Sequence, residues 1–139
     1  MGLFDDLKQS RRDYAEEQQR AELRRKDRQA RERSAYMRQD GLVRGVLGDL
    51  ILALEIATAR IATSAETGWI VTAGGGKEPA ARLVVAVELQ YDDNGDATAF
   101  RVGRSTNSDE SIVTGGLGQA ALAEALRTLF ADPTGDWWR

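Results

Sequence analysis

Two regimes of patterning divide the chain. From Leu3 to Arg38 charged and amide side chains dominate, and apolar residues are scattered among them. From Leu42 onward branched aliphatics recur at regular spacing, and every Ile and Val of the protein lies there. The pattern predicts a charged helical arm over 1–40, a globular domain over 41–132 and a tail over 133–139, with Asp40 as an N-cap or break at the boundary.

In the domain, Val43, Val46, Leu47, Leu50, Leu54, Ala57 and Ile61 fall within one 100° arc of a helical wheel, with Arg44, Asp49, Glu55 and Arg60 opposite. That predicts an amphipathic, core-facing helix over 42–66. Leu52, Ile56, Ala59 and Thr63 make a thinner second stripe through its charged side, the mark of a packing partner or of self-association. The four charges among residues 42–63 exclude a membrane-spanning helix. Next, Trp69-Ile70-Val71-Thr72-Ala73 reads as a strand and Gly74-Gly75-Gly76-Lys77 as a loop; that glycine run lacks the spacing and the Ser/Thr ending of a phosphate-binding loop.

A hairpin follows. Leu83, Val85, Val87, Leu89 and Tyr91 alternate with their neighbours, and Asn94-Gly95 predicts a two-residue turn that pairs Leu89 with Phe100, Val87 with Val102 and Glu88 with Arg101. Asp92, Asn94 and Asp96 belong to that turn, since Gly95 is out of place for a calcium loop. Residues 105–116 form a polar loop with room for a short strand at 111–113, and a last helix runs over 117–131 with Leu117, Ala121, Leu122, Ala125, Leu126, Leu129 and Phe130 on its apolar side.

The expected fold is therefore α+β: a long charged N-terminal helical arm, then a two-layer domain of helix, three-stranded antiparallel meander and helix. This order is similar to that of the double-stranded-RNA-binding domain. The resemblance is one of topology. Where that family begins its second helix with a lysine-rich, phosphate-gripping motif, this chain has Gly115-Gly116-Leu117-Gly118-Gln119, so RNA binding by the domain is not implied.

The arm lacks Pro between Leu3 and Arg38 and is built from strong helix formers. Opposite charges recur at Arg12/Glu16, Glu16/Arg20, Glu22/Lys26, Asp27/Arg31 and Arg28/Glu32. Leu7, Tyr14, Ala21 and Ala35 fall on a seven-residue repeat, but Arg28 interrupts it and the second seam is polar, which disfavours a long coiled coil. Two contact features remain. Leu3, Phe4 and Leu7 form a short apolar hook suited to a groove on a partner. Arg20, Arg24, Arg28, Arg31 and Arg38 gather on one face, with Asp13, Glu17 and Asp27 beside them.

Composition narrows the chemistry. The formal charge of −3 is the sum of a +2 arm and a −5 domain, which confines any cationic contact to one helix. The chain has no Cys and no His, which removes disulfides, thiolate nucleophiles, His bases and the usual zinc sites. Its acids fall mostly in turns and on helix surfaces, so no catalytic residue, metal or cofactor is expected. The acidic start, Met1-Gly2-Leu3-Phe4-Asp5-Asp6, is unlike a secretory signal, and a cytoplasmic location is the expectation. The sequence points to a non-catalytic protein-interaction or assembly protein that docks on a partner or on itself. Its contact residues are expected to be Leu3, Phe4, Leu7, Arg20, Arg24, Arg28, Arg31, Leu52, Ile56, Trp137 and Trp138. The alternative is a nucleic-acid-associated protein that binds phosphates through the arginine stripe.

Overall fold

The computed structural model describes residues 2–56, 58–64, 68–74, 82–104 and 111–131. Its first element, α1 (Asp5–Ala53), is a single helix of 49 residues, about 74 Å long. Asp5 and Asp6 sit in its first turn, where carboxylates favour the helix dipole. The helix runs through Asp40 and Gly41 without a break. The Asp40 carboxylate does not cap; its Oδ1 accepts hydrogen bonds from Arg44 Nε and Trp69 Nε1, both at 2.8 Å.

The helix predicted over 42–66 ends at Ala53. Glu55 takes a left-handed conformation (φ 56°), and two bonds close the end: Glu55 N–H to the Leu52 carbonyl and Ile56 N–H to the Ile51 carbonyl. This is a Schellman cap, in which Ile56 folds back beside Ile51 onto the core. The chain then enters β1 (Arg60–Ser64), a strand within the segment expected to be helical. β2 (Gly68–Ala73), β3 (Arg82–Tyr91), β4 (Ala97–Gly103) and β5 (Ile112–Val113) follow, and α2 (Gln119–Leu129) ends the described chain.

The fold is α+β. The sheet has five strands in the order β1-β2-β3-β4-β5, each antiparallel to its neighbour, where a three-stranded meander was expected; β5 occupies the short strand allowed for at 111–113, and β1 is the unexpected one. The two additional edge strands also depart from the three-stranded order of the double-stranded-RNA-binding domain. The later part of α1 contacts β1 and β2, α2 contacts β4 and β5, and the two helices touch each other.

The core lies between these layers. Trp69, Phe100, Leu47 and Leu122 are its largest fully buried side chains; burying one such side chain stabilises by about 1.5–3 kcal/mol. At a bulge in β3, Val84 joins Val85 in the core, while Leu83 is only half-buried. The predicted hairpin pairs are all present: Leu89 with Phe100, Val87 with Val102, Glu88 with Arg101. The turn differs. Asp92 N–H bonds the Asp96 carbonyl, Gly95 N–H bonds the Asp92 carbonyl, and Gly95 alone in the loop has positive φ, which makes a three-residue loop. A bulge between Gln90 and Tyr91 absorbs the extra residue and restores the register.

Candidate interaction surface

Helix α1 divides by what faces it. Every residue from Gly2 to Arg31 is exposed; Glu32 is the first half-buried position and Ala35 the first buried one. The seat begins where the hairpin turn meets the helix. A Cβ on Gly95 would lie 3.0 Å from Arg28 Cγ and 3.2 Å from the Arg28 carbonyl oxygen. One turn later the Tyr91 hydroxyl donates to the Glu32 carbonyl at 3.4 Å. The Tyr36 ring then stacks on Trp69, with centroids 4.5 Å apart, and its hydroxyl bonds Thr63 at 3.1 Å.

The electrostatics of the seat follow from these contacts. The Trp69 indole N–H, with the Arg44 guanidinium, holds the Asp40 carboxyl below the usual carboxylate range. Burial, reinforced by the charge of Glu32, pushes the Tyr91 phenol up to about 12. A raised Tyr pKa makes a stabilising contribution that is complete below its unfolded value of about 10 and is lost as the pH rises toward the folded value.

The hook residues Leu3, Phe4 and Leu7 are 92%, 65% and 56% exposed and lie at the free end of the helix, with Phe4 as the N-cap residue. Arg20 and Arg24 line one shallow surface with Asp13, Glu16 and Glu17, so their charge is offset locally. Arg28 leaves the stripe: its Nε bonds Glu32 at 3.3 Å and its stem lies against the hairpin turn. Arg31 lies further along the same side of the helix, with Asp27, Ala30, Ser34, Met37 and Arg38 around it. On the exposed arm, Glu22 is lowered and Arg25 raised by their mutual hydrogen bond. Leu52 stays outward at 77% exposure, whereas Ile56 is drawn onto the core by the Schellman cap, so the two do not share a helix stripe. Trp137 and Trp138 lie outside the described residues.

The fold creates one feature that sequence patterning missed. Between α1 and α2 runs a groove of about 480 Å³, floored by Val46, Leu50, Leu126 and Phe130 and rimmed by Asp49 and Arg127. Each helix by itself reads as core-facing, and only their side-by-side packing opens this cleft. The signal available was that Phe130 and Val46 lie at the margins of their apolar arcs.

Among the described residues no group of three or more acidic side chains is placed to hold a metal ion, and no helix is long and apolar enough to cross a membrane. What these residues offer is surface for contact: an apolar tip, an apolar groove and a charged helix between them. No protein-family description, no curated protein and no solved structure matches the chain.

Proposed function

We propose that this is a non-catalytic interaction or assembly protein, acting in the cytoplasm, whose domain anchors α1 and whose overhanging half reaches a partner or another copy. One observation carries this reading. The helical face that is buried over the domain at Ala35, Val43 and Val46 continues outward through Leu7 and Tyr14, which are exposed. An unaccompanied helix of some 23 residues gains little from its own propensity and side-chain pairs. Large apolar side chains on the same face of such a helix favour a contact with another surface.

A photo-cross-linker at Tyr14, carried by the full chain in its native host, tests this. The expected outcome is a discrete cross-linked protein that disappears in the Leu3→Ser, Phe4→Ser, Leu7→Ser triple variant. Capture of nothing above background would defeat the proposal.

A second reading, association with nucleic acid, draws on residues 20–38, which carry eight basic and three acidic side chains. It expects binding that falls steeply with salt and weakens on Arg24→Glu with Arg31→Glu. The acids interleaved at Asp13, Glu16, Glu17 and Asp27 weigh against it.

A further inference from the structure

Within the reading of the arm as a docking element, we infer that the partner is a second copy of this chain: the Leu3-Phe4-Leu7 hook of one molecule occupies the α1/α2 groove of another. The groove has apolar walls and a volume of about 480 Å³, within the range that accepts a few large side chains. The hook supplies three apolar side chains at the start of α1, Leu3 and Phe4 just before the helix and Leu7 in its first turn, all exposed.

Its own hook cannot fill it. Asp5 and Val46 lie on one continuous helix, about 62 Å apart along the axis. The contact must therefore be between molecules.

The charges also match. Asp5 and Asp6 flank the hook and find Arg127 on the groove rim; Lys8 lies one turn on and finds Asp49. Arg127 is highly exposed, and among the described residues it pairs with Glu124 at 3.7 Å, a surface contact that an incoming carboxylate can replace.

Hook and groove also share a side of the helix. At 100° per residue Leu7 falls within about 20° of Leu50. The overhang (5–27) and the seated part (28–53) are nearly equal in length. Two copies that run their α1 helices antiparallel, crossing near Asp27, therefore make both hook-to-groove contacts at once. The contact closes as a two-fold dimer and leaves no free hook.

The cysteine-free chain suits a disulfide test. Full-length Leu7→Cys and Ala123→Cys proteins are mixed under mild oxidation, Ala123 being another groove-lining residue. The expected result is a heterodisulfide formed well in excess of either homodisulfide. Sedimentation of the unmodified chain should approach twice the 15.2 kDa chain mass, and Leu7→Asp should weaken association by about tenfold or more. Arg127→Glu should weaken it too, and Asp5→Lys with Asp6→Lys should restore it, a rescue that misfolding cannot mimic.

A monomer at all concentrations, or homodisulfides only, overturns the inference. So does a groove that becomes accessible to the hook only after Trp137→Ala and Trp138→Ala, since its occupant is then the chain's own tail. If the purified chain stays monomeric while the Tyr14 cross-linker captures a different protein in the host, this inference fails and the interaction reading stands. If both fail, both readings fall.

Discussion

The two halves of α1 form one helix by different means. Residues 5–27 are helical because Ala, Glu, Gln, Arg and Leu favour that backbone and because neighbouring turns pair polar side chains, Gln9 with Asp13 by a hydrogen bond and Glu22 with Arg25 as an ion pair. Residues 28–53 are helical because a sheet and a second helix hold them. Each local pair on the overhang is worth only a few tenths of a kcal/mol. Val43, Val46 and Leu47 in the seated half are buried, and such side chains contribute several times as much each. Helicity alone therefore does not tell where the helix is seated; burial does, and the seat begins near Arg28 and Glu32.

The strongest way to break this contrast is to empty the seat. Trp69 is fully buried, stacks on Tyr36 and donates to Asp40. Trp69→Ala removes the largest core side chain and two tethers of α1, and should cost about 3–5 kcal/mol in urea unfolding. A loss below about 1 kcal/mol would show that the helix is not held there.

A smaller break lies at the edge of the seat. Gly95 is buried against Arg28 at φ +85°. Gly95→Ala should cost about 1–2 kcal/mol, from the left-handed backbone and from the close Arg28 carbonyl. Gly41, in the same helix but turned outward, has nothing within 4 Å of where its Cβ would be. Gly41→Ala should instead stabilise by about 0.5–1 kcal/mol through helix propensity. Equal effects from the two changes would erase the distinction between an inner and an outer face.

How much of this was legible follows from the kind of signal each part carried. The hairpin was read pair by pair because alternation and Asn94-Gly95 agree, and the error in its turn cancelled against the bulge at Thr98. The helix end was misread because no Gly or Pro stands between Ala53 and Arg60; the stop is made by Glu55 in a conformation its identity does not announce. Apolar residues at 54, 56, 59 and 61 satisfy a helical repeat, so β1 was hidden within it. Asp40 and Gly41 looked like a break because both residues favour helix ends, yet Asp40 serves Trp69 and Arg44 across the chain. Of the candidate surface, the hook was visible as three adjacent apolar residues in a charged stretch. The groove was not, because it exists only where two distant helices pack.

The Asp40 tether sharpens the contrast by pH. Its carboxyl is held below the usual range in the fold by Trp69 and Arg44. A depressed carboxylate adds stability above its unfolded value of about 3.9, and that contribution is lost as the pH falls through the folded value. Asp40→Asn should cost about 1 kcal/mol at neutral pH and flatten the decline of stability between pH 5 and 3. An unchanged acid profile would mean that another group carries it.

The smallest expected effect belongs to the overhang and is the most discriminating for the comparison. Leu23 is two-thirds exposed, beyond the reach of the domain. In a dilute, dissociated sample Leu23→Gln should leave global stability within about 0.5 kcal/mol, since it removes no buried contact and replaces one good helix former with another. Amide exchange gives the same contrast without a mutation. Residues 5–27 should exchange by local fraying, and residues around Val43–Leu47 only through global unfolding, because their opening exposes the core. Raising the protein concentration should slow exchange over residues 5–27 if the overhang is sheltered by a second copy. Slow exchange there at every dilution would mean that the arm is held by its own chain, and that one helix is not two regions after all.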